Sequence, residues 1–96
     1  TLSENIADLG ALACITQAEG KEQQPDYPTL YESAARTWTF TGTREIYAYL
    51  AQLDVHAPGK LRGNRALQAF DEFYAAFDIQ SGDGMWLEPE QRVQVW

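Results

Sequence analysis

Leu2-Ser3-Glu4-Asn5-Ile6-Ala7-Asp8-Leu9-Gly10-Ala11-Leu12-Ala13-Cys14-Ile15 repeats its apolar residues at steps of three and four: Leu2, Ile6, Leu9, Leu12 or Ala13, and Ile15. That period fits the 3.6-residue turn of an α-helix and not the two-residue alternation of a strand. The spacing predicts a helix over about Ser3 to Glu19. Thr1 followed by Glu4 has the spacing of a capping box, with Ser3 an alternative N-cap. Gly10 inside the helix costs up to about 1 kcal/mol relative to Ala, which points to close packing against another backbone.

Outward from this helix, Lys21 to Tyr27 is a polar loop punctuated by Pro25 and Pro28. Pro28 fits the first turn of a second helix, whose apolar face is Leu30, Tyr31, Ala34, Ala35 and Trp38. The Thr-rich run from Thr37 to Thr41 frays its end, and Gly42 breaks it. Thr43 caps a third helix through Leu53, with Ile46, Tyr47, Leu50 and Leu53 on one face. Asp54 to Asn64 reads as irregular, holding Pro58, Gly59 and Gly63. A fourth helix over about Arg65 to Phe77 carries Leu67, Phe70, Phe73, Tyr74 and Phe77. The tail from Asp78 to Trp96 reads as ordered coil, the alternating Val93 and Val95 included. The expectation is an all-α domain over residues 1–96, of about four helices and an irregular tail.

Ninety-six residues suffice for one small core. Apolar residues make up 45% and charged residues 22%, a globular balance and not a disordered one. Fourteen acids against seven bases give a net charge of −7 and a pI near 4.4. Nucleic acid is therefore a poor partner, since phosphate binding needs a dense cationic face, and an anionic membrane surface is no better. No apolar run approaches the roughly 18 residues of a membrane span. Cys14 is the only cysteine, so no disulfide forms within the chain. The start at Thr1 has neither Met nor a signal-like layout, as a piece of a longer chain would look.

Four features bear on chemistry. Glu4 and Asp8 are one helical turn apart and share a face. They suit a metal-ligating carboxylate with a second carboxylate that orients a neighbouring ligand; the plainer reading is a solvated acidic first turn. His56, the only histidine, lies in His56-Ala57-Pro58-Gly59-Lys60-Leu61-Arg62. One histidine makes no zinc site, but it can donate to a developing oxyanion; the alternative is an exposed loop residue. Arg62, with Arg65 nearby, can fork onto a carboxylate or peptide carbonyl, or serve as a surface charge. The aromatic set Trp38, Phe70, Phe73, Tyr74, Phe77 and Trp86 reads as core, without chemistry.

In this order, these segments resemble the C-terminal end of the neprilysin-like zinc metallopeptidases, the M13 family, of the bacterial oligopeptidase O type. Glu4-Asn5-Ile6-Ala7-Asp8 before a glycine resembles the family's third-ligand helix. His56 to Arg62 resembles its His-x-Pro-x-x-x-Arg segment. Phe73 to Phe77, Gly82 to Met85 and Pro89 to Trp96 resemble its closing segments. The resemblance spans nearly the whole chain and implies the helical part of a thermolysin-like zincin catalytic domain. It implies that Glu4 ligates zinc and Asp8 holds a zinc-ligating histidine. His56 then stabilises the oxyanion, and Arg62 binds a substrate carbonyl.

The sequence departs from the family in places. Ala11 stands for a second glycine, Ala35-Arg36-Thr37-Trp38 for Ala-Gln-x-Trp, Asn64-Arg65 for Asn-Gly, and Val93 for a disulfide-forming cysteine. The last points to a bacterial, disulfide-free member and favours the cytoplasm, with export open. The His-Glu-x-x-His helix that supplies two zinc ligands and a base is not in these 96 residues. The resemblance therefore implies zinc and peptide substrates for a larger parent, whose remaining catalytic domain is this segment's partner. The segment alone is expected to be inactive and to bind zinc weakly. The rival reading is a non-catalytic helical scaffold with a degenerate site, and an intact His-Glu-x-x-His elsewhere in the polypeptide decides between them.

Overall fold

The computed structural model describes residues 2–39 and 42–94. These form five α-helices: α1 (Leu2–Gly20), α2 (Tyr27–Thr37), α3 (Arg44–Leu53), α4 (Gly59–Leu67) and α5 (Asp71–Ala76). A single 3₁₀ turn, Pro89–Gln91, follows, and the described residues contain no strand. The all-α expectation holds. Ser3 lies inside α1 and is not its N-cap, and the capping role read for Thr1 falls outside the described residues.

Local chemistry explains the helix starts. Asp26 caps α2: one carboxylate oxygen accepts the Thr29 N–H at 3.2 Å, the other the Thr29 hydroxyl at 2.7 Å. These bonds hold the Asp26 carboxyl below its ordinary value, the hydroxyl contributing most. Thr43 caps α3, its Oγ1 accepting the Ile46 N–H at 3.2 Å.

Two boundaries differ from expectation. The segment read as irregular contains the first half of α4, which starts at Gly59 directly after Pro58. The Pro58 carbonyl accepts the N–H groups of both Leu61 and Arg62, starting the helix without a side-chain cap. The single helix expected over Arg65 to Phe77 is instead two, broken at residues 68–70. The Tyr74 hydroxyl donates to the Gln68 carbonyl at 2.8 Å, and the Gln68 amide donates to the Met85 carbonyl at 3.0 Å. The buried Tyr74 hydroxyl thus satisfies a carbonyl that a continuous helix would pair locally. After α5 the chain turns through Asp78, at φ 51°. Ile79 N–H donates to Tyr74 O, and Asp78 N–H to Ala75 O. That is a Schellman closure, with an aspartate in the left-handed position usually held by glycine.

The core is Leu12 of α1, Tyr31 of α2, Leu67 of α4, and Phe73 and Tyr74 of α5. α2 packs on α4 and α5, and α1 packs on α4 and α2. Tyr31, 1% exposed, meets Phe73 edge-on with centroids 6.1 Å apart. Its hydroxyl lies 3.0 Å from the buried Thr16 hydroxyl. Burial raises the Tyr31 phenol to about 12, against the lowering effect of that bond. The tail is ordered by Arg92, whose Nε donates to the Leu87 carbonyl at 2.8 Å and whose guanidinium stacks 3.7 Å over the Tyr74 ring. Phe77 is less buried than expected, at 38% exposure. α3 is amphipathic, yet none of its residues is buried.

Candidate functional site

All four residues singled out in the sequence converge where α1 faces the segment from Asp54 to Arg62. Glu4 and Asp8, a turn apart on α1, each meet one partner side chain from that segment. The Oε2 of Glu4 is 3.1 Å from Nε2 of His56. Asp8 is held by Arg62 through a fork: Nε donates to Oδ2 at 2.7 Å and Nη2 to Oδ1 at 2.8 Å. The contact is bidentate, the strong form of an arginine–carboxylate pair. It keeps the Arg62 guanidinium above its ordinary value, the hydrogen bond to Asp8 contributing most. The local folding explains the convergence. α4 begins at Gly59, so Arg62 is in its first turn and projects toward α1, on which α4 packs.

Two further residues complete the arrangement. Asp54, the C-cap of α3, accepts the His56 backbone N–H at 2.9 Å on the same oxygen that lies 3.0 Å from the ring Nδ1. These contacts hold the Asp54 carboxyl below its ordinary value, the backbone bond contributing most. The imidazole is thereby held between Asp54 and Glu4. The signal was present in the sequence: an aspartate two residues before its target is the spacing of an Asx turn. Trp38 was read as core, and the structure corrects this. It is half-buried at the end of α2, and the Arg62 guanidinium carbon stands 3.7 Å from its ring centroid. No local pattern links residues 38 and 62, so nothing in the sequence revealed that contact.

Beside the pair is an apolar cleft of about 200 Å³, lined by Leu12, Ile15, Ala34, Trp38, Arg62 and Leu67 among others. A larger cleft of about 370 Å³, between α1, α5 and the tail, holds none of the four site residues. Among the described residues no group of three or more His, Cys, Asp or Glu side chains could hold a metal ion. Tight zinc sites need three or four donors, so the donors here do not make one. Glu4, at 43% side-chain exposure, is accessible enough to be one donor of a shared set.

The profile of peptidase family M13 matches residues 1–93. The chain belongs to peptidase family M13. The neutral endopeptidase of Lactobacillus helveticus is 46% identical over 95 residues, covering 99% of this chain and 14% of that protein. The neutral endopeptidase of Lactococcus lactis subsp. lactis (strain IL1403) is 36% identical, with 99% and 15% covered. Neprilysin-21 of Caenorhabditis elegans is 29% identical over 112 residues, covering all of this chain and 14% of its own. The M13 chain thus spans about one seventh of the length of these curated relatives. No solved structure matches it. As an M13 sequence it carries the Glu4, Asp8, His56 and Arg62 constellation on one surface, a placement that the family resemblance alone did not supply.

Proposed function

We propose that this chain is part of a zinc-dependent metalloendopeptidase catalytic domain and supplies its carboxylate zinc ligand and its carbonyl-side residues. The observation that carries the reading is the double pairing of α1 with the Asp54–Arg62 segment, Glu4 to His56 and Asp8 to Arg62, in a chain of a peptidase family. In the whole protein Glu4 is one donor to the metal. Bound zinc supplies a Lewis acid and an activated water for hydrolysis.

The chain's own residues do the rest of what is proposed here. His56, its Nδ1 side tied to Asp54, exchanges the Nε2 contact to Glu4 for one to the oxygen that becomes negative as the peptide carbonyl is attacked, once Glu4 turns to the metal. A donor placed there acts mainly in the transition state. Arg62, anchored on Asp8, meets a backbone carbonyl of the peptide near the cleaved bond. Asp8 keeps a second lone pair on each oxygen and can also accept from a ligating histidine of the remaining domain. Peptides and that remaining domain are the partners, and the cytoplasm is the proposed compartment. The 96 residues alone lack the donors and the base, and should neither retain zinc tightly nor hydrolyse peptides.

The test uses the complete polypeptide. Glu4→Gln should abolish zinc retention, and Asp8→Ala should weaken it roughly 10- to 100-fold. His56→Ala should keep zinc and KM while kcat falls about 100- to 1000-fold. Metal analysis with steady-state kinetics reads all three. Full zinc and full activity in both α1 variants would leave the scaffold reading, and zinc loss in His56→Ala would make the histidine a ligand.

A further inference from the structure

The proposed function gives Trp38 no task, yet its surroundings are the most specific in the site. Asp8 engages the Arg62 guanidinium at its edge, through Nε and Nη2. Trp38 engages it from above, 3.7 Å from ring centroid to Cζ. The two restraints act on different parts of the group: the carboxylate fixes Nε and Nη2, and the indole face covers Cζ. An arginine side chain otherwise carries substantial rotamer freedom, and a planar fork loses less of it when its surroundings are preformed. The Arg62 side chain is 17% exposed. Among the described residues its remaining nitrogen, Nη1, has no hydrogen-bond partner.

Trp38 is itself held firmly. As the C-cap of α2, its N–H donates to the carbonyls of Ala35 and Arg36. Two glycines on α4 leave room for it. A Cβ at Gly59 would come within 2.5 Å of the Trp38 carbonyl oxygen, and one at Gly63 would meet the indole at 3.8 Å. α4 therefore settles onto Trp38 through Gly59 and Gly63, and Arg62 projects from between them. The indole also walls the apolar cleft beside the guanidinium.

We propose that Trp38 is a positioning residue for Arg62, its indole face holding the guanidinium so that Nη1 is presented to a peptide carbonyl of the substrate. The inference rests on the peptidase reading of Arg62. A residue acting through Arg62 must lose its effect once Arg62 is gone, which a merely structural tryptophan would not.

The experiment is a double-mutant cycle in the complete, zinc-loaded polypeptide with a peptide substrate, using Trp38→Leu, Arg62→Ala and the double variant, with Trp38→Phe as the conservative control. Trp38→Leu should raise KM roughly 3- to 30-fold, the range of a partly desolvated cation–π contact, with kcat and zinc content little changed. Trp38→Phe, which keeps an aromatic face, should recover most of the loss. Adding Trp38→Leu to Arg62→Ala should change KM no further. Additive losses, or equal losses with Leu and Phe, overturn the proposal.

A second arm separates this proposal from the peptidase reading and needs no turnover. In the complete polypeptide labelled with ¹⁵N-arginine, the Arg62 Nε–H, assigned by its absence in Arg62→Ala, should be shifted by the indole ring current and exchange more slowly than that of the exposed Arg44. An Arg62 signal indistinguishable from that of Arg44 in the unmutated chain sinks the positioning role, whatever the kinetics show. A perturbed Arg62 signal in a polypeptide that cleaves no peptide sinks the peptidase reading and leaves Trp38 holding Arg62.

Discussion

Arg62 and Asp8, 54 residues apart in sequence, meet through two hydrogen bonds of 2.7 and 2.8 Å with both side chains mostly covered, at 17% and 22% exposure. This fork ties α4 to α1 and brings the His56 loop against Glu4. It differs from a surface ion pair, which contributes little because water and salt screen it.

Breaking one side should therefore destabilise the chain more than removing both. Asp8→Ala leaves a partly buried guanidinium without its acceptor and should cost about 1–3 kcal/mol. Arg62→Lys retains charge but not the planar fork, and should keep only part of the stabilisation that Arg62→Ala loses. Urea midpoints of Asp8→Ala, Arg62→Ala and the double Asp8→Ala/Arg62→Ala measure this. Strictly additive losses would show that the pair is uncoupled.

Tyr31 makes stability fall in alkali. Its phenol is neutral and buried in the folded chain, with its pKa raised from 10.0 to about 12. The unfolded chain therefore releases this proton first. The stabilising contribution is complete below pH 10 and is lost as pH rises toward 12, on the order of 2–3 kcal/mol. Tyr31→Phe should remove this component of the pH dependence. At neutral pH it should cost about 1–2 kcal/mol, because the Thr16 hydroxyl loses its partner. Unfolding curves across that window, read with tyrosinate absorbance, check both statements.

The two glycines under Trp38 should respond oppositely to alanine. At Gly59 the added Cβ strikes a backbone oxygen at 2.5 Å, which cannot swing away as a side chain would. Gly59→Ala should cost about 1–3 kcal/mol and displace Trp38. At Gly63 the added Cβ makes ordinary contact at 3.8 Å. Gly63→Ala should be neutral or stabilising by up to about 1 kcal/mol, since alanine suits a helix interior better. Thermal unfolding and indole fluorescence distinguish the two.

Substitutions on α3 should barely change the stability of the 96 residues. Leu50 and Leu53 are 38% and 62% exposed, while Leu67 of α4 is 6% exposed. Leu53→Ser should stay within about 0.5 kcal/mol of the parent. Leu67→Ala, which empties part of the core, should cost about 2–5 kcal/mol. Comparable urea midpoints for the two would contradict the packing described here.

The all-helical class, the extent of α1 to within a residue or so, the Thr43 cap of α3, and the shared face of Glu4 and Asp8 are legible in the order of residues alone. Each follows from period, cap chemistry or turn residues, which are local and act within a few residues. The four site residues stand out because several segments, in order, resemble one family. Taken singly, each was also consistent with ordinary surface charge. Long-range packing sets the start of α4 at Gly59, the Tyr74 hydroxyl on the Gln68 carbonyl where the expected long helix breaks, and Trp38 against Arg62 rather than the core. It alone paired Asp8 with Arg62 and left the apolar face of α3 unburied. Those outcomes depend on which helix faces pack together across tens of residues, and a packing choice of that kind leaves no period in the chain.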